Sequence, residues 1–241
     1  MKSIGIIPAR WGSTRFEGKV LAKLKGKYLL QHVWERARKS KLLGSVLIAC
    51  DDERIMKAAE EFGAKAVMTS KKHISGTDRI AEAVGPLAVK VVVNIQADEP
   101  LVSPKVIDHL VQAIVDDKNC MMATAVKAIE TRDELENPNV VKVVIDQNRD
   151  ALYFSRSVIP FNRDKQKFDD INYYKHLGLY AYRKEFLLKF KDLPKSHLES
   201  VEKLEQLRVL ESGYKIKTIE TNIDTIGVDT PEDLKKVESL L

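Results

Sequence analysis

A dense group of cationic and hydroxyl side chains lies near the amino terminus, between Arg10 and Lys19. Two glycines, a serine and a threonine share this segment with three cations, which are Arg10, Arg15 and Lys19. Guanidinium and ammonium groups, hydroxyls and exposed amides beside the end of a strand bind phosphate well. The segment is not a P-loop, because five residues rather than four separate the glycines and Val20 follows the lysine. It also lacks the G-x-G-x-x-G dinucleotide turn. We therefore predict a polyphosphate site of another geometry, in which Arg and Lys side chains carry much of the charge.

Two aspartates from distant segments are suited to work beside this loop. Asp98 follows the most apolar strand pattern, and ligands of open α/β sheets bind outside the carboxyl ends of strands. Asp229 stands directly before a helix start at Thr230. Taken alone, Asp98 fits a solvated turn acid and Asp229 fits a carboxylate that interacts with the helix dipole. Mg²⁺ usually takes one or two carboxylates plus substrate phosphates, so the pair beside a cationic loop favours a magnesium site.

Other polar residues fit both a ligand site and a structural role. His73–Arg79 is a turn of small residues that leads into a helix, where amides and hydroxyls bind an anion or a base edge. Simple capping of the helix at Thr77 explains the same residues. Hydroxyl, guanidinium, imidazole and amide groups recur in Tyr153–Arg156, at His176 and at Glu205–Gln206. A carboxylated, polyhydroxylated substrate uses such groups, although each also has a structural explanation, and His176 fits a core or interface histidine.

Alternating strand and helix patterns must position these residues. Strands are predicted at Lys2–Pro8, Ser45–Cys50, Lys65–Met68, Val89–Ile95 and Met121–Ala125. The helices between them are predicted at Leu29–Ser40, Asp52–Phe62, Thr77–Val84 and Pro104–Asp116. The uninterrupted apolar run at residues 91–93 is typical of a strand buried on both faces of a parallel sheet. The alternation predicts an α/β fold with a doubly wound, mostly parallel sheet covered by helices.

The pattern then becomes β-rich. Strands are predicted at Val140–Asp146, Ala151–Phe154 and His176–Tyr182, around the polar segment Asn162–Asn172. We interpret residues 140–182 as a β-rich insertion within a single domain of residues 1–241, and expect it to supply a homodimer contact. The remaining elements are predicted as a helix at Ser200–Glu211 with Gly213 past its end, a strand at Lys215–Glu220, and a helix capped by Thr230.

Composition and charge limit the classes of function. The chain has 241 residues, of which 44% are hydrophobic and 31% charged, as in ordinary globular domains. Its longest apolar runs fall short of the roughly 18 residues of a membrane helix, and the amino terminus leads straight into a strand pattern, so we expect neither a membrane span nor a signal peptide. The net charge of +5 comes without a basic stripe interleaved with aromatics, which argues against nucleic-acid binding. Cys50 and Cys120 lack metal-type spacing and are expected to be buried, reduced thiols of a cytoplasmic protein.

Longer stretches of the sequence resemble one enzyme family. The matching blocks follow the family's order at Ile6–Lys19, His32–Arg38, Ser75–Arg79, Val93–Pro100, Asn137–Pro160, His176–Tyr182, Leu204–Leu210 and Gly227–Leu234. The opening loop recurs in a broader group of nucleotidyltransferases, whereas Ala-Leu-Tyr-Phe-Ser-Arg and Leu-Glu-Gln-Leu-Arg are narrow motifs. On these blocks, which span essentially the whole chain, the sequence resembles the 3-deoxy-manno-octulosonate (Kdo) cytidylyltransferases, also called CMP-Kdo synthetases.

The resemblance implies a nucleotide-diphospho-sugar transferase-like fold and a Mg²⁺-dependent transfer of CMP from CTP to the anomeric hydroxyl of Kdo, with release of pyrophosphate. It implies that the nucleotide is bound by Arg10, Ser13, Arg15, Lys19, Ser75 and Arg79. It assigns the sugar acid to Gln96, Ser155, Arg156, His176 and Gln206. By the same resemblance, Asp98 and Asp229 hold the metal and act with Lys19 as the catalytic residues.

Some positions depart from the family's pattern. Ala97 stands where glycine is expected, which adds a methyl group beside the implied sugar site. Glu17, Val20 and Tyr28 occupy positions where prolines are expected. The cations and acids of the site are retained, so these changes affect the identity of the sugar more than the type of reaction. An 8-amino analogue of Kdo and a nonulosonate therefore stay open as alternative sugars. A catalytically silent nucleotide-binding relative is a further alternative, which the joint retention of the lysine and both metal acids disfavours.

Overall fold

The computed structural model describes residues 2–12 and 16–241 and shows strands alternating with helices along most of the chain. The strands are β1 (Ser3–Ala9), β2 (Lys23–Leu24), β3 (Lys27–Tyr28), β4 (Ser45–Cys50), β5 (Lys65–Met68), β6 (Val91–Asn94), β7 (Met122–Ala128), β8 (Lys142–Ile145), β9 (Ala151–Ser155), β10 (Tyr174–Arg183) and β11 (Lys217–Glu220). The α-helices are α1 (Leu29–Ala37), α2 (Glu53–Glu61), α3 (Gly76–Val84), α4 (Pro104–Asp116), α5 (Arg132–Glu136), α6 (Lys184–Phe190), α7 (His197–Glu202), α8 (Leu207–Glu211) and α9 (Pro231–Glu238). Short 3-10 helices lie at Lys19–Leu21 and Phe168–Asp170. In this described part of the chain, no helix is both long and apolar enough to cross a membrane.

Nine of the strands in the described residues form one sheet. The main path has the order β11-β7-β10-β6-β1-β4-β5, with β8 paired to β10 and β9 paired to β8. Every strand of the main path runs in the same direction except β10, which is antiparallel to both of its neighbours. The small hairpin β2–β3 stands apart. The mostly parallel sheet predicted from the alternating pattern is therefore confirmed, and the reversed strand of the main path, β10, lies inside it rather than at an edge.

Helices cover both faces of this sheet, as a doubly wound fold requires. Successive residues of β6 point to opposite faces, so Val91 and Val93 belong to one apolar cluster and Val92 to another. The first cluster includes residues of α1 and α4, and the second includes residues of α3 and α6. All three valines are fully buried. Burial on both faces explains why this strand is apolar throughout instead of alternating.

The predicted β-rich insertion is continuous with the main sheet. The ten residues of β10 pair with β6, β7 and β8. The register against β7 shifts between Leu177 and Tyr180, which places a bulge at Gly178 and its neighbour. Tyr180 is the residue paired with Asn94 at the end of β6. The bulge therefore lies beside the loop that follows β6, where the sequence places Asp98.

Some predicted elements differ from the structure. The single helix predicted at Ser200–Glu211 is wrong, because α7 ends at Glu202, the next residue Lys203 has a φ of 56°, and α8 begins only at Leu207. The short α5 and the hairpin β2–β3 were not predicted, since so few residues show no periodic pattern. The last two capping predictions are confirmed. Gly213 follows α8 with a φ of 80°, and Thr230 caps α9.

Candidate active site

A cavity of about 310 Å³ opens beside the carboxyl ends of β1 and β6. These parallel neighbours end at the same edge of the sheet, so the loops that follow them meet there. The sequence-predicted residues that line the cavity are Arg10, Lys19, Ser75, Arg79, Gln96, Asp98 and Asp229. Ser13 and Arg15, which were predicted for the same site, lie outside the described residues. One cavity thus combines the cationic loop, the first turn of α3 and both aspartates.

Lys19 is the point at which the two aspartates meet. Its Nζ donates to Asp98 Oδ2 at 2.6 Å, to Asp229 Oδ1 at 2.8 Å and to the backbone carbonyl oxygen of Val228 at 3.0 Å. The lysine side chain is 13% exposed, against 29% for Asp98 and 44% for Asp229. Burial alone lowers the pKa of Lys19, but the two carboxylates outweigh burial and raise the pKa above its ordinary value. The ammonium group therefore stays charged and holds both carboxylates at one place.

Backbone contacts explain why Asp229 reaches this lysine. The amide of Val228 donates to the carbonyl oxygen of Asp98 at 2.9 Å, which joins the two acidic loops. The N-cap of α9 is Thr230, whose hydroxyl accepts from the Asp233 amide at 3.2 Å while the Asp233 carboxylate accepts from the Thr230 amide. Thr230 rather than Asp229 therefore caps the helix, and the Asp229 carboxylate contacts Lys19.

The carboxylate pair suits a hard cation. Mg²⁺ takes oxygen ligands and commonly uses one or two carboxylates, with water and substrate phosphates completing its coordination. Asp98 and Asp229 offer such oxygens at the wall of a cavity that Arg10 also lines. Among residues 2–12 and 16–241, no group of three or more histidine, cysteine, aspartate or glutamate side chains forms a metal cage. The donor set therefore fits an ion that binds together with a nucleotide better than a permanently caged structural ion.

The first turn of α3 forms another wall of the cavity. Ser75 is its N-cap, because the Ser75 hydroxyl accepts from the Asp78 amide at 3.1 Å and the Asp78 carboxylate accepts from the Ser75 amide. The capping predicted at Thr77 is therefore wrong by two residues. Thr77 is buried instead, and its hydroxyl donates to Glu205 Oε2 at 2.6 Å. The amide end of a helix that faces a cavity favours an anion there.

Arg79 lines the cavity, but its guanidinium is engaged within the protein. Nη2 donates to Asp51 Oδ2 at 2.9 Å, and Nη1 donates to Thr69 Oγ1 at 2.5 Å. Asp51 Oδ1 in turn accepts from the backbone amide of Trp11 at 3.0 Å. The residue is only 3% exposed. Arg79 therefore supports the start of the cationic loop through Asp51.

The residues predicted for the sugar acid are more enclosed. In the described part of the chain, only Gln96 of this group lines the cavity, and its Nε2 donates to the carbonyl oxygen of Gly178 at 2.7 Å. Ser155 Oγ donates to Glu202 Oε1 at 2.6 Å, and Arg156 Nε donates to the Glu202 carbonyl oxygen at 2.9 Å. Ser155 and Arg156 are thus held by α7, at the point where the predicted helix breaks.

His176 lies in an aromatic cluster on β10. Its ring centroid is 5.1 Å from that of Phe154 and 5.2 Å from that of Tyr180, and its Nε2 lies 3.0 Å from Thr124 Oγ1. Burial lowers the pKa of the imidazole to about 3, so the ring is neutral near pH 7. Gln206, directly before α8, is similarly enclosed and only 5% exposed. These contacts of His176 match the alternative in which it is a structural histidine of the core.

Two glutamates that the sequence did not assign to the site lie next to its predicted residues. Glu202 accepts hydrogen bonds from the Ser155 hydroxyl and the Arg156 amide. Its position was hidden, because a continuous helix would place it on a solvated face. Glu99 is buried, and burial, then the carboxylates of Asp98 and Asp224, raise its pKa to about 8. An acid directly after Asp98, at the end of a fully apolar strand, was a signal that could have identified it.

The fold and the cavity together define an α/β nucleotidyltransferase. The sequence model described as cytidylyltransferase matches residues 4–219, which is most of the chain. The protein is therefore an enzyme of the cytidylyltransferase family. A cytidylyltransferase from Leptospira borgpetersenii has a TM-score of 0.67 at 16% identity, covering 99% of this chain and 86% of that one, which shows the shared fold alone.

Relatives with higher sequence identity specify the group of cytidylyltransferases to which the chain belongs. The chain is 51% identical to the 3-deoxy-manno-octulosonate cytidylyltransferase of Solibacter usitatus, over 99% of this chain and 94% of the relative. It is also 51% identical to the enzyme of that name from Thermodesulfovibrio yellowstonii, over 100% of this chain and 98% of the relative. A solved structure of CMP:2-keto-3-deoxy-manno-octonic acid synthetase complexed with CTP has a TM-score of 0.95 at 42% identity. The match covers 100% of this chain and 98% of that one. The chain belongs to the 3-deoxy-manno-octulosonate cytidylyltransferase family.

Proposed function

We propose that this protein transfers CMP from CTP to the anomeric hydroxyl of Kdo and releases pyrophosphate, which activates the sugar for lipopolysaccharide synthesis. The observation that carries the proposal is the contact of Lys19 with both Asp98 and Asp229 at the wall of one cavity. The names of its relatives support the sugar, and the similar structure complexed with CTP supports the nucleotide.

This reaction needs positioning and charge stabilisation more than a covalent nucleophile. The anomeric oxygen attacks the α-phosphorus of CTP, the bond from that phosphorus to the oxygen of the leaving pyrophosphate breaks, and negative charge develops on the phosphate oxygens. Arg10 and Lys19 provide cations at the cavity, and the first turn of α3 provides amides. We propose that these groups, with Ser13, Arg15 and Ser75, bind the triphosphate and that Lys19 stabilises the charge that develops. Arg79 acts on the nucleotide side by holding Asp51.

Asp98 and Asp229 are proposed to hold Mg²⁺. The bound ion would supply Lewis-acid stabilisation of the reacting phosphoryl group. Lys19 keeps the two carboxylates together by donating a hydrogen bond to each. The chain itself therefore preorganises the donor pair, and the backbone bond from Val228 to Asp98 holds the loops that carry it.

The sugar acid is proposed to bind on the β10 side of the cavity, beside Gln96 and Ala97. Both residues line the cavity, and the Ala97 methyl reduces the space next to Gln96. The remaining sugar-side residues, Ser155, Arg156, His176 and Gln206, are proposed to complete this pocket or to hold its walls. For Ser155 and His176, bonds to internal partners favour the supporting role.

A second candidate is a cytidylyltransferase for another acidic sugar. Ala97 favours considering it, because a methyl group at the wall of the sugar pocket changes the shape of the acceptor that fits. An 8-amino analogue of Kdo and a nonulosonate are the acceptors to compare. A silent relative is disfavoured, since a nucleotide-binding module has no need for Lys19 and two metal acids at the same place.

We further propose a homodimer formed through β9 and the segment after it. Leu152, Val158 and Phe161 expose 59%, 39% and 86% of their surfaces and follow one another along this part of the chain. Large apolar side chains exposed in one region mark an interaction surface.

A cytoplasmic location is proposed as well. It is supported by Cys50 and Cys120, which are buried free thiols whose pKa burial raises to about 11.

A pyrophosphate-release assay with CTP and Mg²⁺ across a panel of acidic sugars tests the proposal. We expect release with Kdo and weaker or no release with nonulosonates. Omission of the sugar is the control for simple hydrolysis of CTP. Release only with a nonulosonate or only with the 8-amino analogue would select the second candidate. No release with any sugar would refute the proposed reaction.

A further inference from the structure

Three buried lysines lie side by side across the β-rich part of the sheet. Lys142 on β8 pairs with Lys175 on β10, which pairs in turn with Lys127 on β7. They are 0%, 7% and 6% exposed, respectively. Side chains directly opposite on neighbouring strands share a face, and like charges placed there repel each other. The row is therefore stable only if other parts of the chain neutralise or hydrogen bond each ammonium group.

Carboxylates neutralise two of the three lysines. Lys175 Nζ donates to Asp224 Oδ2 at 2.6 Å and also to the carboxylate of Glu134. Lys127 Nζ lies 2.8 Å from Glu130 Oε1 and 3.7 Å from the same Asp224 oxygen. Burial alone lowers the pKa of Lys175, but these ion pairs outweigh it and raise the pKa above its ordinary value. Asp224 is thus shared by two buried cations.

Asp224 belongs to the segment that carries Asp229. Residues 221–230 connect β11 to α9 without regular secondary structure. The carbonyl oxygen of Val228 and the carboxylate of Asp229 reach Lys19 from this segment. Its interior is tied to the body of the protein where Asp224 meets Lys175 and where the Val228 amide meets Asp98. The ion pair is therefore one of the ties that join the segment carrying Asp229 to the body of the protein.

We propose that Lys175, assisted by Lys127, is a positioning residue for Asp229. By fixing Asp224, it holds segment 221–230 so that Val228 and Asp229 meet Lys19. The anchoring of the segment stands on the contacts alone, whereas its effect on Mg²⁺ rests on the proposed function. Lys142 provides an internal comparison, because its ammonium donates to the carbonyl oxygens of Asn137 at 2.9 Å and Val140 at 2.6 Å instead.

Lys175→Met tests the anchor, because it keeps the buried chain length and removes the charge. Hydrogen–deuterium exchange should show the Val228 amide exchanging about tenfold faster or more, since loss of a tie favours local opening. The Mg²⁺ concentration for half-maximal turnover should rise about 10–100-fold, the size of effect seen when a partner of a metal ligand is removed. Turnover at saturating Mg²⁺ should change little, since Asp229 itself is retained.

Lys142→Met is the matched control, since it removes a buried ammonium from the same row. It should lower stability yet leave the exchange of residues 221–230 and the Mg²⁺ requirement at wild-type values. If Lys175→Met does not fold, Asp224→Asn applies the same test, because both lysines keep their glutamate partners. Wild-type exchange of residues 221–230 in a folded variant of either kind would overturn the proposal. A wild-type protein without Mg²⁺-dependent turnover would instead overturn the proposed function, and the exchange result would still decide on the anchor.

Discussion

The proposed nucleotide side and the proposed sugar side of this protein are built differently. At the ends of β1 and β6, the residues predicted to bind ligand contact one another, as Lys19 contacts Asp98 and Asp229. Around β9 and β10, the predicted residues contact supporting groups within the protein, as Ser155 contacts the half-buried Glu202 and His176 contacts the buried Thr124. Charge on the first side faces a cavity, whereas on the second side Ser155 and Gln206 are buried and only Gln96 reaches the cavity among the described residues.

This difference indicates which change each side tolerates. On the nucleotide side, a substitution removes a group that is proposed to act on phosphate directly, so it should lower turnover. On the sugar side, a substitution first disturbs a wall of the pocket, so it should weaken sugar binding while the chemistry continues. The split between kcat and KM therefore separates the two sides.

Asp98→Asn should have the largest effect, because it removes a charge from the acid pair and keeps the shape of the side chain. We expect turnover to fall by about 100–1,000-fold, as when one preorganised electrostatic group is lost, with less than about a tenfold change in CTP affinity. Pyrophosphate release and calorimetric CTP binding measure the two quantities. Asp192→Asn, at an exposed position, is the control. Wild-type turnover in Asp98→Asn would remove this residue from the metal site.

Glu202→Gln should weaken binding of the sugar rather than binding of CTP. The substitution removes the charge that accepts from the Ser155 hydroxyl and the Arg156 amide. Hydrogen bonds to a charged group contribute about 1.5–3 kcal/mol, so KM for the sugar should rise about tenfold or more while KM for CTP stays constant. Steady-state kinetics with each substrate varied in turn distinguish the two. Glu136→Gln, at an exposed position of α5, should change neither. A rise in KM for CTP alone would contradict the division into two sides.

His176 should make stability, rather than catalysis, depend on pH. Its pKa is lowered from 6.5 to about 3 by burial, so between these values the unfolded chain binds a proton that the folded protein does not. The free energy of unfolding should therefore decrease as pH falls below 6.5, by at most about 1.4 kcal/mol per pH unit from this group. Urea unfolding at about pH 5 and pH 7 measures it. In His176→Gln the pH dependence should be weaker than in the wild type; an equal dependence would assign it to other groups.

The sequence predicted the nucleotide side better than the sugar side for a physical reason. Strand ends on a parallel sheet are recognised from local apolar runs, so Asp98 could be placed at the ligand edge before any pairing was known. The placement of Asp229 beside the cationic loop was expected from chemistry, because a polyphosphate site uses both cations and metal-binding carboxylates; the direct contact with Lys19 was not predicted. These inferences depend on local pattern and on charge alone.

The sugar side depends on features that local patterns do not contain. The break at Lys203 requires a left-handed backbone conformation that nothing in Ser200–Glu211 demands, so Glu202 was missed. The row of lysines exists only because β7, β8 and β10 pair in one register, and that register joins residues far apart in the chain. Individually, Lys127, Lys142 and Lys175 look like ordinary surface residues of strands.

Ala97→Gly should have the smallest effect and sharpens the boundary between the two sides. Removing one methyl group changes the free energy of binding by about 0.8 kcal/mol, which corresponds to about a fourfold change in KM for the sugar. Because the change enlarges the pocket, it should favour the bulkier acidic sugars of a panel over Kdo, with KM for CTP unchanged. Ala128→Gly, at an exposed position of β7, controls for the greater backbone freedom of glycine. A change in KM for CTP with none for any sugar would place Ala97 on the nucleotide side and would leave acceptor choice to residues nearer β9.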